Sequence, residues 1–558
     1  MSSHWFYKLA EGAQDGHWRR LPSQHQGKGP GGEKQYGRTW VRKNRLKSFV
    51  KLYDHQADFV SAVKKMKPSG GIVAAHGTGT GKTVSAIAAF EHLKGEGKAK
   101  RALVIVPAGL RDNFLNKGVK KFTDSKGVVV KRPSEVGQDV EYVVTSYAAF
   151  RQNPDAFIEA YKPDTIIADE FHRAGNPGGK THKALMSARE KVPRFIGLTA
   201  SIVQNDPADI VPLMNIANRG KDTKKKFKQK YVRKQRVKNE KGVFGGKTYT
   251  RRIIRGEELV HKLGPSIHYI EDLDADKKPV KDVQTVPVDM SDQQKKIYDL
   301  SMKGVDPKIR AKIAAGEPVS QKQAMNIFTR LLRARQVSNS LHTHVPKMTL
   351  AQAAEATPKV KKILDDAQEH IKTTPDAQII MYTNFVHGGV DVLEAGLKAR
   401  GVAYGVFKGK GKGTTEASRQ KAVDDYAAGK TKVIIITGAG AEGLSLGNTT
   451  MVQMADGHYN PERMSQAEAR GVRAKGLSHR PKEERRVIAR RYVSTIPKSF
   501  WQKMTFRKPD RSVGEWVHIT AGRKESVNKE LRKVLKRRST HETKKRDSKL
   551  YSVLGGGP

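Results

Sequence analysis

The chain of 558 residues contains no cysteine. Disulfides and thiolate metal sites are thereby excluded, and the absence fits a reducing compartment. No apolar run approaches the ~20 residues that a membrane span needs. The opening stretch MSSHWFYKLAEGAQDGHWRR lacks the apolar core of an export signal. An intracellular protein is expected, in cytoplasm or nucleus, with packaging inside a virion as the other location. Acidic residues are scarce beside basic ones: Asp+Glu number 56 against 105 Lys+Arg, a formal net charge of +49. Such a surplus repels itself in a compact fold. A polyanion relieves the repulsion through phosphate contacts and counterion release. Nucleic acid is the expected partner, and no amphipathic helix with a bulky apolar face argues for a membrane.

What is present suffices for more than one core. Hydrophobic residues make up 37% of the chain, and its length suggests three to four units of ~150 residues. Short, wholly apolar runs recur from Leu52 to Ile216: GIVAA (71–75), ALVIVP (102–107), YVVTS (142–146), TIIAD (165–169) and FIGLTA (195–200). They recur again from Thr357 to Thr495: QIIMYTN (378–384), VAYGVF (402–407), KVIIITG (432–438), MVQMAD (451–456) and RVIARRYV (486–493). Runs of this length without polar alternation are strands covered on both faces. The expected fold class is α/β, with two parallel-sheet lobes in tandem. The expected division is a basic arm at 1–50, a first lobe at 51–216, a basic and helical insertion at 217–356, a second lobe at 357–495 and a basic extension at 496–558. Helices are expected over about 292–341 and over KESVNKELRKVLKRR (524–538).

Chemistry concentrates at a few of these junctions. GIVAAHGTGTGKT (71–83) places Gly79, Gly81, Lys82 and Thr83 between a buried strand and a helix. Backbone N–H groups at a helix start hold phosphate; Lys82 would reach the β and γ phosphates of a nucleotide and Thr83 would hold Mg²⁺. The strict phosphate-loop pattern wants Gly where His76 stands, and a plain Gly-rich turn is the alternative. TIIADEFH (165–172) ends a strand with Asp169 and Glu170. The carboxyl edge of an open α/β sheet is where ligands bind. Asp169 could hold Mg²⁺ and Glu170 could orient the attacking water, with His172 coupling them to other groups; a simple helix start is the other reading. GLTASIVQND (197–206) sets Thr199 and Ser201 beyond the next strand, where hydroxyls either relay or cap. SQAEARGVRAKG (465–476) puts Arg470 and Arg473 on one side of a helix. Two guanidiniums there suit a γ-phosphate arriving across a cleft.

The order of these motifs, from Leu52 to Lys475, resembles helicase superfamily II and within it the SWI/SNF-like branch. LYDHQADFV resembles the family's adenine-reading segment and nominates Gln56. HGTGTGKT is similar to the superfamily's looser phosphate loop, which does not require Gly at 76. LVIVPAGLRDNF and VVTSYAAF resemble two nucleic-acid-contact segments. DEFHRAGNP stands at the Asp-Glu-x-His box, and GLTASIVQNDPADIVPLMNI is close to the SWI/SNF pattern. MSDQQKKIYDL, IIMYTNFVHGGVDVLEAGL, GAEGLSL and QAEARGVR complete the set. Two departures stand out. Phe171 replaces a small residue of the box, and EGLSL resembles nucleoside triphosphatases of large DNA viruses.

The resemblance implies two RecA-like lobes closing on ATP and Mg²⁺. Lys82, Thr83, Asp169, Glu170, Gln56, Gly79, Gly81 and His172 would then lie on the first lobe and Arg470 and Arg473 on the second. It implies a backbone grip from Thr145, Ser146 and Thr437. The implied function is a nucleic-acid-dependent ATPase, most directly a translocase on double-stranded DNA. The alternatives are an RNA helicase, a transcription-associated ATPase with a polymerase or virion partner, and a non-enzymatic packaging protein.

Overall fold

The computed structural model describes residues 46–47, 50–77, 79–137, 139–241, 247–271, 278–409, 414–438, 444, 446–472, 476–498, 504 and 510–554. The expected N-terminal arm at 1–50 lies almost wholly outside the described residues.

The apolar runs of the first half form strands. They are β1 (Gly71–His76), β2 (Ala102–Val106), β3 (Gly127–Val129), β4 (Tyr142–Ser146), β5 (Thr165–Ala168) and β6 (Arg194–Thr199). Every residue of β1, β2, β4 and β5 is buried. Two apolar clusters, one on each face of the sheet, account for this. Arg189 is fully buried beneath the sheet's amino edge. Its guanidinium donates to the carbonyls of Ser69, Val192, Pro193 and Ala217, so three chain segments meet on one cation.

A basic antiparallel hairpin follows, β7 (Val232–Lys241) and β8 (Lys247–Ile253), and then β9 (Ile267–Ile270). β9 returns to the first sheet, whose order is β3-β4-β2-β5-β6-β1-β9, parallel throughout. The second sheet is built from β10 (Val280–Asp289), β11 (Ile379–Tyr382), β12 (Tyr404–Phe407), β13 (Val433–Ile436), β14 (Met451–Met454) and β15 (Arg486–Thr495). Its order is β10-β15-β14-β11-β13-β12, again parallel.

Residues 217–356 are therefore not a separate insertion throughout, a correction to the expected division. They supply one edge strand to each sheet, β9 to the first and β10 to the second. Between β10 and the second lobe's first central strand lie the helices Asp292–Ser301, Pro307–Ala314, Gln321–Asn326 and Phe328–Asn339, which fill the span where helices are expected. The first, second and last of these pack into a cluster of their own with Val513, Trp516 and Val517. Those three residues open a single C-terminal helix, Val513–Leu554, so the helix expected over 524–538 is longer at both ends. No helix among the described residues is long and apolar enough to cross a membrane.

Candidate active site

β1 delivers the chain to Gly77 at the carboxyl edge of the first sheet. Gly79 and Gly81 follow with φ of 84° and 76°, a left-handed backbone that L side chains rarely adopt. At Gly81 space adds a second demand, because a Cβ would lie 2.4 Å from Gln56 Nε2. Gly81 caps the helix Lys82–Gly95, whose first turn carries no acidic residue. Its leading N–H groups lack intrahelical acceptors, and the positive end of the helix is left for an anion. The Lys82 ammonium lies across the loop and donates to the carbonyls of His76 (3.2 Å) and Gly77 (3.0 Å). Beneath it, His55 Nε2 is 2.8 Å from the Thr80 carbonyl. Gln56 Nε2 donates to the carbonyls of Thr80 and Gly81 at 3.3 and 3.4 Å, while its Oε1 accepts from Tyr53 N at 3.0 Å. Gln56 is thus a brace of the loop, touching it directly.

His76 explains its own departure from glycine. The side chain is fully buried, and its Nε2 lies 2.8 Å from His268 Nδ1 on β9. Phe59 packs edge-on against both rings. Burial first, and then the neighbouring His268, holds His76 well below the usual imidazole range. The residue fastens the edge strand to β1, a task a glycine could not perform.

Asp169 and Glu170 leave β5 at the same sheet edge. Asp169 accepts from Glu170 N at 2.9 Å. Burial, reinforced by the Glu170 charge and opposed by Lys82, raises its carboxyl to about 6. Tyr147 Oη donates to the Asp169 carbonyl at 2.7 Å and fixes the backbone from below. Glu170 has φ of 48°, a strained conformation for a side-chain-bearing residue. Its Oε2 is buried without a hydrogen bond and lies 3.4 Å from His172 Nδ1. The same nitrogen is 3.2 Å from Thr199 Oγ1, which accepts from Ser201 N at 3.0 Å. Phe171, unusual in its box, is fully buried against Phe195 with ring centroids 4.9 Å apart.

The second lobe meets this edge through the helix Pro461–Glu468. Ser201 Oγ donates to Glu462 Oε1 at 2.5 Å and accepts from Gln466 Nε2 at 3.0 Å. Arg470 follows directly after that helix. It is nearly buried and donates to the Leu444 carbonyl at 3.0 Å. Arg473 lies outside the described residues. The helix that leads to Arg470 is therefore docked against the loop that follows β6, on the sheet edge that carries Lys82, Asp169 and Glu170.

The three hydroxyls expected to grip a backbone are placed differently. Thr145 is fully buried, with its Oγ1 unpartnered. Ser146 Oγ accepts from Ala149 N at 3.1 Å and caps the next helix. Thr437 is also buried, just past β13. All three side chains are buried. The turn after β2 is the open one there, with nothing within 4 Å of a Cβ built on Gly109.

The residues fit the group that phosphate chemistry requires. Magnesium takes a hydroxyl and one or two carboxylates together with substrate phosphates rather than an all-protein cage. Among the described residues no group of three or more His, Cys, Asp or Glu side chains is arranged for a metal; Thr83 stands in the first turn of the helix Lys82–Gly95, and Asp169 follows β5 in the same parallel sheet. Sequence reasoning missed His268, Glu462 and Arg532. They sit 192 residues from His76, 261 from Ser201 and 70 from Glu462 respectively, and no local pattern marks them.

Comparison with known proteins gives two family matches. The family described as SNF2-related domain matches residues 4–343, and the Helicase conserved C-terminal domain matches residues 359–475. A chain of Acanthamoeba polyphaga mimivirus, provisionally named an ATP-dependent RNA helicase, is 24% identical over 454 residues, covering 80% of this chain and 90% of its own. An uncharacterized ATP-dependent helicase of Bacillus subtilis is 23% identical over 438 residues, covering 75% and 72%. Among solved structures, the Sulfolobus solfataricus SWI2/SNF2 ATPase core in complex with dsDNA is similar at 20% identity, with 88% of this chain and 97% of that chain covered and a TM-score of 0.37.

Proposed function

The chain belongs to the SNF2-related family of helicases, and from that premise we propose that it is a motor on double-stranded DNA, with ATP hydrolysed between the two lobes. That it is an ATP-dependent nucleic-acid motor follows from the family. The DNA track, the Mg²⁺ and the individual residue roles are our reading. The observation that carries it is the meeting of Lys82, Asp169, Glu170 and His172 at one sheet edge against the helix that leads to Arg470.

In this reading the loop N–H groups and Lys82 hold the β and γ phosphates. Thr83 and Asp169 would hold Mg²⁺, which would supply neutralising charge for the phosphates. Glu170, whose Oε2 has no hydrogen bond, orients water for in-line attack and takes its proton. Arg470 and Arg473 act from the second lobe on the charge that develops at the transferred phosphoryl group. Closure and reopening of the cleft move one lobe relative to the other along a backbone. Phosphate contacts carry no sequence information, so binding is sequence-independent, and the basic segments at 1–50, 221–255 and 496–558 add affinity.

Our preference for duplex DNA over RNA rests on the segments IVQN (202–205) and SDQQKKIYDL (291–300), which resemble the SWI/SNF pattern; the mimivirus relative's name supplies the competing RNA reading. The test is ATP turnover with duplex DNA, single-stranded DNA and RNA, paired with displacement of a triplex-forming strand. Stimulation by duplex DNA with triplex displacement is expected. Stimulation by RNA alone would overturn the DNA assignment.

A further inference from the structure

The C-terminal helix Val513–Leu554 is anchored in both halves of the molecule. Its first turns pack with the helical cluster beside the second lobe, while Leu531 and Leu535 are buried in the core of the first. Between these anchors it is bonded to both sides of the cleft. Lys524 Nζ donates to Asn205 Oδ1 (3.2 Å) and to the Tyr459 carbonyl (3.0 Å), and Asn528 Nδ2 donates to the Gln204 carbonyl (3.2 Å). One turn further, Arg532 bridges Glu462 (3.0 Å) and Glu525 (2.7 Å).

Glu462 is the unusual member of this group. It belongs to the second lobe, yet its two oxygens are engaged by the first lobe's Ser201 and by Arg532. A carboxylate withdrawn from water is costly unless paired and hydrogen-bonded, so the site is built to keep it there. Burial raises its carboxyl, the charges of Glu525 and Glu170 add to this, and Ser201 and Arg532 oppose it.

Resting on the ATPase reading above, we propose that Glu462 is a positioning residue for Glu170, acting through Ser201, Thr199 and His172, and that Arg532 of the C-terminal helix holds it in place. Glu462 fixes the Ser201 hydroxyl. The Ser201 N–H then sets the Thr199 hydroxyl, which fixes the His172 ring, and His172 faces Glu170. Removing Glu462 frees the loop after β6, and the imidazole loses its orientation beside the carboxylate that handles water. Nucleotide binding rests on the loop at Gly79–Thr83, so the effect falls on kcat.

The test compares the full chain with Glu462→Ala, Ser201→Ala and their double variant, reading DNA-stimulated kcat, KM for ATP and melting temperature. Each single variant should lower kcat about tenfold, the scale of one lost charged hydrogen bond, with KM unchanged. The double variant should be no slower than the worse single one, because both act on one route. Arg532→Met should reproduce the loss and Arg532→Lys should recover part of it, which keeps the test informative if Glu462→Ala fails to fold. Multiplying effects, or a loss confined to KM, would overturn the proposal. An active wild type with unaltered Glu462→Ala turnover would sink this inference alone. A wild type without nucleic-acid-stimulated turnover would sink the underlying reading and this inference with it.

Discussion

The ring of Phe171 fills the space directly over Gly197: a Cβ built on Gly197 would lie 2.6 Å from Phe171 Cδ1. The two residues are matched in size, the large one standing in the carboxylate box and the small one in the neighbouring strand β6. Gly197→Ala should drive the ring back toward Phe195 and disturb the backbone that carries Asp169 and Glu170. Overpacking a filled core costs about 1–3 kcal/mol, so the melting temperature should fall and turnover with it. Phe171→Ala in the Gly197→Ala background should recover part of the activity; failure of that rescue would show that the clash is not the cause.

Lys82→Ala should abolish ATP hydrolysis while duplex binding stays near the wild-type level. The side chain spans the phosphate loop and donates to the carbonyls of His76 and Gly77. Surviving turnover in this variant would place the nucleotide elsewhere.

Acid should loosen the second lobe and the C-terminal helix through buried histidines. His370, His458 and His518 are each lowered to about 4, chiefly by burial and then by nearby arginines. The unfolded imidazole titrates near 6.5. Between those values the unfolded chain binds more protons than the folded one, so stability falls as pH drops from about 6.5 toward 4. Melting temperatures measured across that window should decline, and His370→Gln should flatten the slope. A melting temperature independent of pH there would contradict the buried, neutral assignment.

Truncation after Lys536 should separate grip from catalysis. It removes Arg537, Arg538, Lys544, Lys545, Arg546 and Lys549 but keeps Leu531, Arg532 and Leu535 with their contacts. Saturated turnover should hold, while duplex affinity falls and log K plotted against log salt becomes shallower, each lost phosphate contact reducing the slope by about 0.9. An unchanged salt slope would assign those residues to something other than nucleic acid.

The sequence made the two lobes legible because their central strands are apolar on both faces, a pattern no helix or surface strand shares. The edge strands escaped. β9 is a four-residue segment only partly covered, and β10 is exposed through its first six residues and contains Pro287, as an edge with one neighbour allows. At the site, Lys82 and the Asp169–Glu170 pair were readable because phosphate chemistry forces their local order. His268, Glu462 and Arg532 were not, since their roles come from contacts between distant segments. The burial of Thr145 and the capping bond of Ser146 were not readable either: a hydroxyl at a strand end looks the same in sequence whether it faces solvent, the core or the next turn.

Leu531 and Leu535 carry a consequence for how the molecule is made. They complete the interior of the half that leaves the ribosome first, yet they are translated long after it. During synthesis that half must wait with an unfilled hollow, a state open to chaperones and to aggregation. Final assembly is then a single late event, in which docking of the last long segment seals the early half and fastens it to the late one. A chain arrested before residue 531 should therefore be more protease-sensitive in its first half than the finished protein.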